Sequence, residues 1–201
     1  MPAVLPQPTI LRGRHVVLEP LTGANAAELV EPLWRPETYA GGWAGGLPAL
    51  PDTASGFVES LRRLWDAPAT LPNHRPFLVR SGSGEAIGTT SLGQFDLARE
   101  ETHLGWTAYT PSVWGTAVNP ECKLLMLGHA FDNGFGRVRL QCDELNERSA
   151  AAIAALGVTY EGARRRDMKR ADGSWRTTLA WAAIVDDWPQ IRAGLEARLA
   201  G

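Results

Sequence analysis

Six consecutive residues, Trp114-Gly115-Thr116-Ala117-Val118-Asn119, set small side chains just ahead of a helix, a combination that suits an anionic ligand. Asn119 followed by Pro120 predicts the helix start. An Asn side chain caps free backbone N–H groups, and a proline at the first helical position has no N–H to leave unpaired. The free N–H groups and the positive end of the helix dipole converge on the residues just before it, where a pyrophosphate would be held. The same residues also make a plain strand-to-helix turn, and the loop alone does not choose between the two. Cys122, in the first turn of the helix, could be an activated thiol, but on a largely apolar helix it reads as a packing residue.

The elements that must position this loop are legible from periodicity. Thr102 to Tyr109 reads as a strand that runs into the loop through Pro111. From Arg137 to Asp143, Val138, Leu140 and Cys142 alternate with Arg139, Gln141 and Asp143, as a strand with two different faces requires. Asn146-Glu147-Arg148-Ser149 then opens a second, alanine-rich helix that Gly157 closes.

This order of loop, helix, strand and Asn-x-x-small helix is similar to the acyl-CoA site of the GNAT acyltransferase superfamily. Trp114-Gly115, the Asn-x-Arg-Ser of residues 146 to 149, Leu156-Gly157 and Glu161-Gly162 resemble its ribosomal-protein N-acetyltransferase (RimJ/RimL-type) branch. The resemblance covers roughly residues 10 to 190 and is sharpest from Gly105 to Trp188. It implies a GNAT fold: one mixed α/β domain whose mostly antiparallel sheet is splayed between the strands of residues 102–109 and 137–143, with helices on both faces. It also implies acetyl-CoA as co-substrate, bound by Trp114, Gly115, Thr116, Ala117, Val118, Asn119, Asn146 and Ser149, with no metal. Two departures stand out. The usual phosphate loop, Gln/Arg-x-x-Gly-x-Gly/Ala, has Trp114, Ala117 and Asn119 at its three defining places, and Ile153 stands where many members carry a tyrosine acid.

The reaction implied is acyl transfer to an amine, which needs a neutral amine, a polarised thioester carbonyl and a proton for the departing thiolate. An N-terminal α-amino group, of pKa near 8, is already partly neutral at pH 7, so a modest base suffices. His103, before Leu104-Gly105-Trp106, stands where many members have glutamate and is a candidate base; it is also a candidate structural histidine, with Glu100 and Glu101 as rivals. Ser149 is the nearest substitute for the absent tyrosine, or a helix-start capping residue, or both. A non-catalytic acyl-CoA sensor of the same fold, and an enzyme using a bulkier donor such as succinyl-CoA, remain open beside the acetyltransferase.

The rest of the chain supplies scaffold. Residues 1–9 are proline-rich and read as a loose arm. His15 to Pro20 reads as the first strand, and Thr22 as the cap of a helix through Val30. Residues 34–52 break every regular pattern, interleaving Trp34, Tyr39 and Trp43 with glycine and proline. These aromatics suit the wall of an acceptor pocket or the edge of the core. A helix from Asp52 or Thr53 puts Phe57, Leu61, Leu64 and Trp65 on one face. Pro76–Ser81 and Ala86–Phe95 read as a hairpin, as do Val158–Met168 and Thr177–Val185, and a last helix after Asp187 carries Ile191, Leu195 and Leu199. The basic run Arg164-Arg165-Arg166, with Lys169-Arg170, is a candidate anion contact or a solvated hairpin. Composition is ordinary for a globular domain, and the net charge of −2 gives no field to recruit nucleic acid. Two cysteines without metal spacing, and no apolar run long enough for a membrane span, lead to the expectation of a soluble cytoplasmic protein, monomer or homodimer.

Overall fold

Two neighbouring strands run parallel for three residue pairs and then part, and the rest of the architecture holds that fork open. The computed structural model describes residues 2–66 and 74–200, apart from the side chains of residues 64–66. Its strands are β1 (Leu11–Arg12), β2 (Val16–Pro20), β3 (His74–Ser81), β4 (Ala86–Asp96), β5 (Glu101–Tyr109), β6 (Arg137–Asp143), β7 (Thr159–Lys169) and β8 (Trp175–Ile184). They form one sheet in the order β1-β2-β3-β4-β5-β6-β8-β7. Each neighbouring pair is antiparallel except β5 and β6, which pair Glu101 with Arg137, Thr102 with Val138 and His103 with Arg139. Beyond His103 the two strands share no further register, so the splay expected between these segments is present.

On the far side of the fork β5 is bulged. Its register against β4 jumps from Gly105↔Ser91 to Ala108↔Thr89, and Trp106 takes a φ of 51°. A bulge breaks the two-residue alternation of a strand. The rings of His103 and Trp106, three positions apart, therefore meet on one face with centroids 4.8 Å apart.

The helices are α1 (Val30–Leu33), α2 (Pro36–Ala40), α3 (Ala54–Asp66), α4 (Val118–Asp132), α5 (Glu147–Ala154) and α6 (Trp188–Ala200). On one face Met126, Leu127, Ile153, Ile191 and Leu195 of α4, α5 and α6 bury against Phe77, Val79, Leu104, Val138 and Leu140. On the other, Leu29, Leu33, Phe57 and Leu61 bury against Leu78 and Ala108. Leu78 lies between Phe77 and Val79 and faces the opposite core, the alternation that lets one strand serve two layers.

Several boundaries differ from expectation for local reasons. The N-terminal segment is tied down rather than loose: Ala3 is buried, Val4 N–H donates to the Asn133 carbonyl, and Arg75 Nε donates to the Pro6 carbonyl. The helix expected from Thr22 through Val30 is a 3₁₀ turn over Ala26–Leu29 running into the single turn of α1, and Asn25 rather than Thr22 precedes it. Residues 34–52 contain α2 and two short 3₁₀ turns, Trp43–Gly45 and Leu47–Ala49. Thr53 does start α3, its hydroxyl accepting Gly56 N–H at 3.0 Å, while the expected contribution of Leu64 and Trp65 to its apolar face lies outside the described side chains.

Candidate active site

The loop between β5 and α4 begins with a 3₁₀ turn at Pro111–Val113 and reverses at Gly115, whose φ of +75° favours glycine. The helix starts at Val118, with Ala117 as its cap residue, so Asn119 lies inside the first turn and is not the cap expected. Thr116 does that local work instead: its hydroxyl donates to the Val113 carbonyl at 2.7 Å and accepts Val118 N–H at 3.3 Å. Asn–Pro remains a helix-start signal because Pro120 is still within the first turn, where a missing N–H leaves no hydrogen bond unmade.

Among the described residues, the N–H groups of Gly115, Ala117 and Asn119 have no intramolecular acceptor. A methyl placed on Gly115 would meet no atom within 4 Å, so the approach to these donors is open. Three free donors at the positive end of the fifteen-residue helix α4 fit an anionic pyrophosphate.

A second helix start faces this loop. Asn146 Oδ1 accepts Ser149 N–H at 3.0 Å and so caps α5, while Asn146 Nδ2 has no acceptor among the described residues. The Arg148 guanidinium stacks over Trp114, and Trp114 Nε1 donates to the Tyr109 carbonyl at 3.0 Å. A side chain on Gly41 would come 2.9 Å from an Arg148 nitrogen, so the glycine-rich loop closes over the same corner. The Ser149 hydroxyl lies against the Cys142 thiol, whose pKa burial pushes up.

The other candidates are placed differently. His103 is 4% exposed, and burial, aided by the positive charges of Arg139 and Lys123, pushes its pKa down to about 3. Neither ring nitrogen has a hydrogen-bond partner among the described residues. A base of near-neutral pKa was the expectation. The structure corrects it to a neutral, desolvated imidazole held between strands. Glu101 is clamped by Arg137 at 2.8 Å and Arg139 at 2.7 Å, and Glu100 is exposed in the turn before β5. Cys122 is fully buried with its thiol pushed up to about 12, which removes it as a nucleophile.

The aromatics of residues 34–52 brace their loop. Tyr39 is buried, Trp43 packs edge-on against it and donates to the Trp106 carbonyl, and Trp34 donates to the Pro51 carbonyl. The cavity beside the loop is lined by its glycines, not by these three rings. The basic run is largely engaged: Arg164 pairs with Asp167, Arg166 lies over Trp175, and Arg170 pairs with Asp143.

Two residues of α4 carried no signal in the sequence. Glu121 is buried and accepts the N–H groups of Arg14, His15 and Val16 at 2.8, 2.6 and 2.8 Å, tying the first turn of the helix to the β1–β2 connection. Lys123 is 5% exposed, and its ammonium reaches only the hydroxyls of Thr107 at 2.7 Å and Thr90 at 3.5 Å, with no carboxylate in range among the described residues. Their partners are remote in sequence, so no spacing could have shown them.

No curated protein matches the chain. Solved structures do. One, provisionally described as an acetyltransferase, is 31% identical, with 97% of this chain and 96% of that one covered and a TM-score of 0.85. A GCN5-related N-acetyltransferase from Brucella melitensis is 24% identical, with coverages of 98% and 87% and a TM-score of 0.86. Mycobacterium smegmatis RimJ in complex with CoA-disulfide is 21% identical, with 97% of each chain covered and a TM-score of 0.78; at that identity the likeness is one of fold. Residues 15–159, well over half of the sequence and including the whole fork, its loop and α5, match the acetyltransferase (GNAT) domain, and the chain belongs to that family.

Proposed function

We propose that the protein transfers an acetyl group from acetyl-CoA to a primary amine by direct attack within a ternary complex, and that it stands nearest the ribosomal-protein N-acetyltransferase branch. The observation that carries this reading is the row of N–H groups at Gly115, Ala117 and Asn119 without acceptors among the described residues, on the loop that leads from β5 into α4. They hold the pyrophosphate. The pantetheine arm lies along the fork, with Asn146 Nδ2 available to a pantetheine carbonyl, and the unpaired edge of β5 beyond His103 offers N–H groups to the thioester carbonyl. The CoA-disulfide held by the M. smegmatis RimJ structure supports a CoA ligand for this fold.

Of the candidate bases, His103 is desolvated and Glu101 is held by Arg137 and Arg139. The acceptor's own ionisation supplies the neutral amine, since an α-amino group has a pKa near 8. The proton lost on attack passes to water, and Ser149 is the donor proposed for the thiolate. Two buried free cysteines support a reducing, cytoplasmic setting.

The test begins with calorimetry of CoA binding to the wild type and to Gly115→Ala. A methyl at a residue with φ +75° strains the loop by about 1–2 kcal/mol and turns its donors, so binding should weaken about tenfold while the fold persists. Unchanged affinity would move the pyrophosphate elsewhere. Release of CoA thiol from acetyl-CoA with a panel of amines then reads turnover. Tight CoA binding with no release for any amine would make the protein a sensor, a reading to which Ile153, a buried core residue, already lends support.

A further inference from the structure

We propose that Arg176 receives a carboxylate of the acceptor, so that the substrate is a small amine that also bears a carboxylate; the inference rests on the acetyl-transfer reading and names its acceptor.

A cavity of about 230 Å³ lies between the glycine-rich loop and the turn end of the β7–β8 hairpin. Gly41 and Gly42 form one wall, and Asp143, Arg170 and Arg176 form the other. It adjoins the candidate CoA site through Gly41, which packs against Arg148 and Asn146. Its size lies a little below the ~300–1,000 Å³ typical of sites for drug-sized ligands, so an acceptor of a few heavy atoms fits better than a folded protein surface.

The charges in that wall do not balance. Asp143 accepts Arg170 through both carboxylate oxygens, at 2.6 and 2.7 Å. Asp167, the other acid acting on Arg176, is paired with Arg164 at 3.2 Å. Asp143 and Asp167 thus each already hold an arginine, Glu144 lies 3.8 Å from the same Arg170, and Asp172 accepts Ser174 N–H in the hairpin turn at 2.9 Å. Arg176 is left with one weak contact, to the Met168 sulfur at 3.7 Å, and its Nε is buried without a partner. Among the described residues it forms no ion pair. A partly desolvated guanidinium without a counterion is unfavourable unless something supplies one, and its planar fork of donors matches a carboxylate. Leu145 and Met168, both exposed at the cavity, give the rest of such an acceptor an apolar surface.

The experiment compares kcat/KM for glycine, L-alanine, β-alanine, γ-aminobutyrate and L-leucine with that for their carboxamides, in the wild type and in Arg176→Gln. Amine ionisation differs within each pair but is common to both proteins, so it cancels in the change of ratio. The acid-to-amide ratio of the best acceptor should fall at least tenfold in the variant; a fall of less than threefold overturns the proposal. A melting curve checks that the variant folds. If it does not, the wild type decides: propionate and butyrate should compete with the acceptor at least tenfold better than their amides, and equal inhibition overturns the proposal. If no amine is acetylated, the acetyl-transfer reading has failed instead, and calorimetry of the same carboxylates against their amides on the CoA-loaded protein still decides for or against Arg176.

Discussion

The Arg148 guanidinium lies 3.5 Å from the centroid of the Trp114 ring, and this contact joins the start of α5 to the loop that leads into α4. Arg148 thereby fixes the wall of one candidate half-site against the other. Its position, held also by Gly41, makes the glycine-rich loop the third member of the same corner.

A cation stacked on an indole contributes roughly 0.5–2 kcal/mol. Arg148→Ala and Trp114→Leu should therefore each weaken CoA binding about three- to thirty-fold, and the double variant should be little worse than either single one. A double-mutant cycle by calorimetry reads the coupling. Simple additivity of the two losses would mean that the contact does not organise the site.

Ser149 separates into two roles that can be tested apart. Its backbone N–H, not its hydroxyl, is what Asn146 caps, so Ser149→Ala should leave the melting temperature almost unchanged. If the hydroxyl assists the departing thiolate, kcat should fall by about 10²-fold with KM for acetyl-CoA unaltered. Asn146→Ala, which removes the cap, should lower stability by about 1 kcal/mol, or a few degrees. A kcat for Ser149→Ala within twofold of wild type would hand protonation to water.

The imidazole of His103, pushed down to about 3 by burial, cannot give a limb near neutrality. His103→Asn should leave the midpoint of the rising kcat/KM limb where it is, since that limb belongs to the acceptor amine. Its effect should appear in stability. A histidine whose folded pKa lies below its unfolded 6.5 contributes stability above pH 6.5 that is lost as pH falls toward 3. Urea unfolding from pH 7 to 4 should show this loss in the wild type and not in the variant; a displaced kinetic limb would restore His103 as the base.

Lys123 predicts the opposite end of the pH range. Burial lowers its pKa from the ordinary 10.5 to about 8, so the unfolded chain binds more protons between those values and stability should rise with pH across that window. The full gain is on the order of 3 kcal/mol. Lys123→Met should lack this component, and a wild-type stability that is flat from pH 8 to 10.5 would show that the ammonium is better solvated than its surroundings suggest.

Short-range patterns reach most strands and the helices α3 to α6, but not the short helical turns of residues 26–49. The alternation from Arg137 to Asp143, the Asn146 cap, the Thr53 start of α3 and both hairpins follow from short-range rules, because strand period, capping and turn chemistry act within a few residues. Trp114-Gly115 and Asn146 to Ser149 were recognisable for the same reason. Only the tertiary structure decided what surrounds each side chain. Whether His103 is a base depends on its burial and on charges from three other strands and from α4, and whether Tyr39 lines a pocket depends on which core closes over it. Glu121 finds its partners over a hundred residues away, and Arg176 is left without a counterion because Arg170 and Arg164 have taken the neighbouring carboxylates. Burial and charge pairing are sums over the whole packed molecule, so no stretch of the chain contains them.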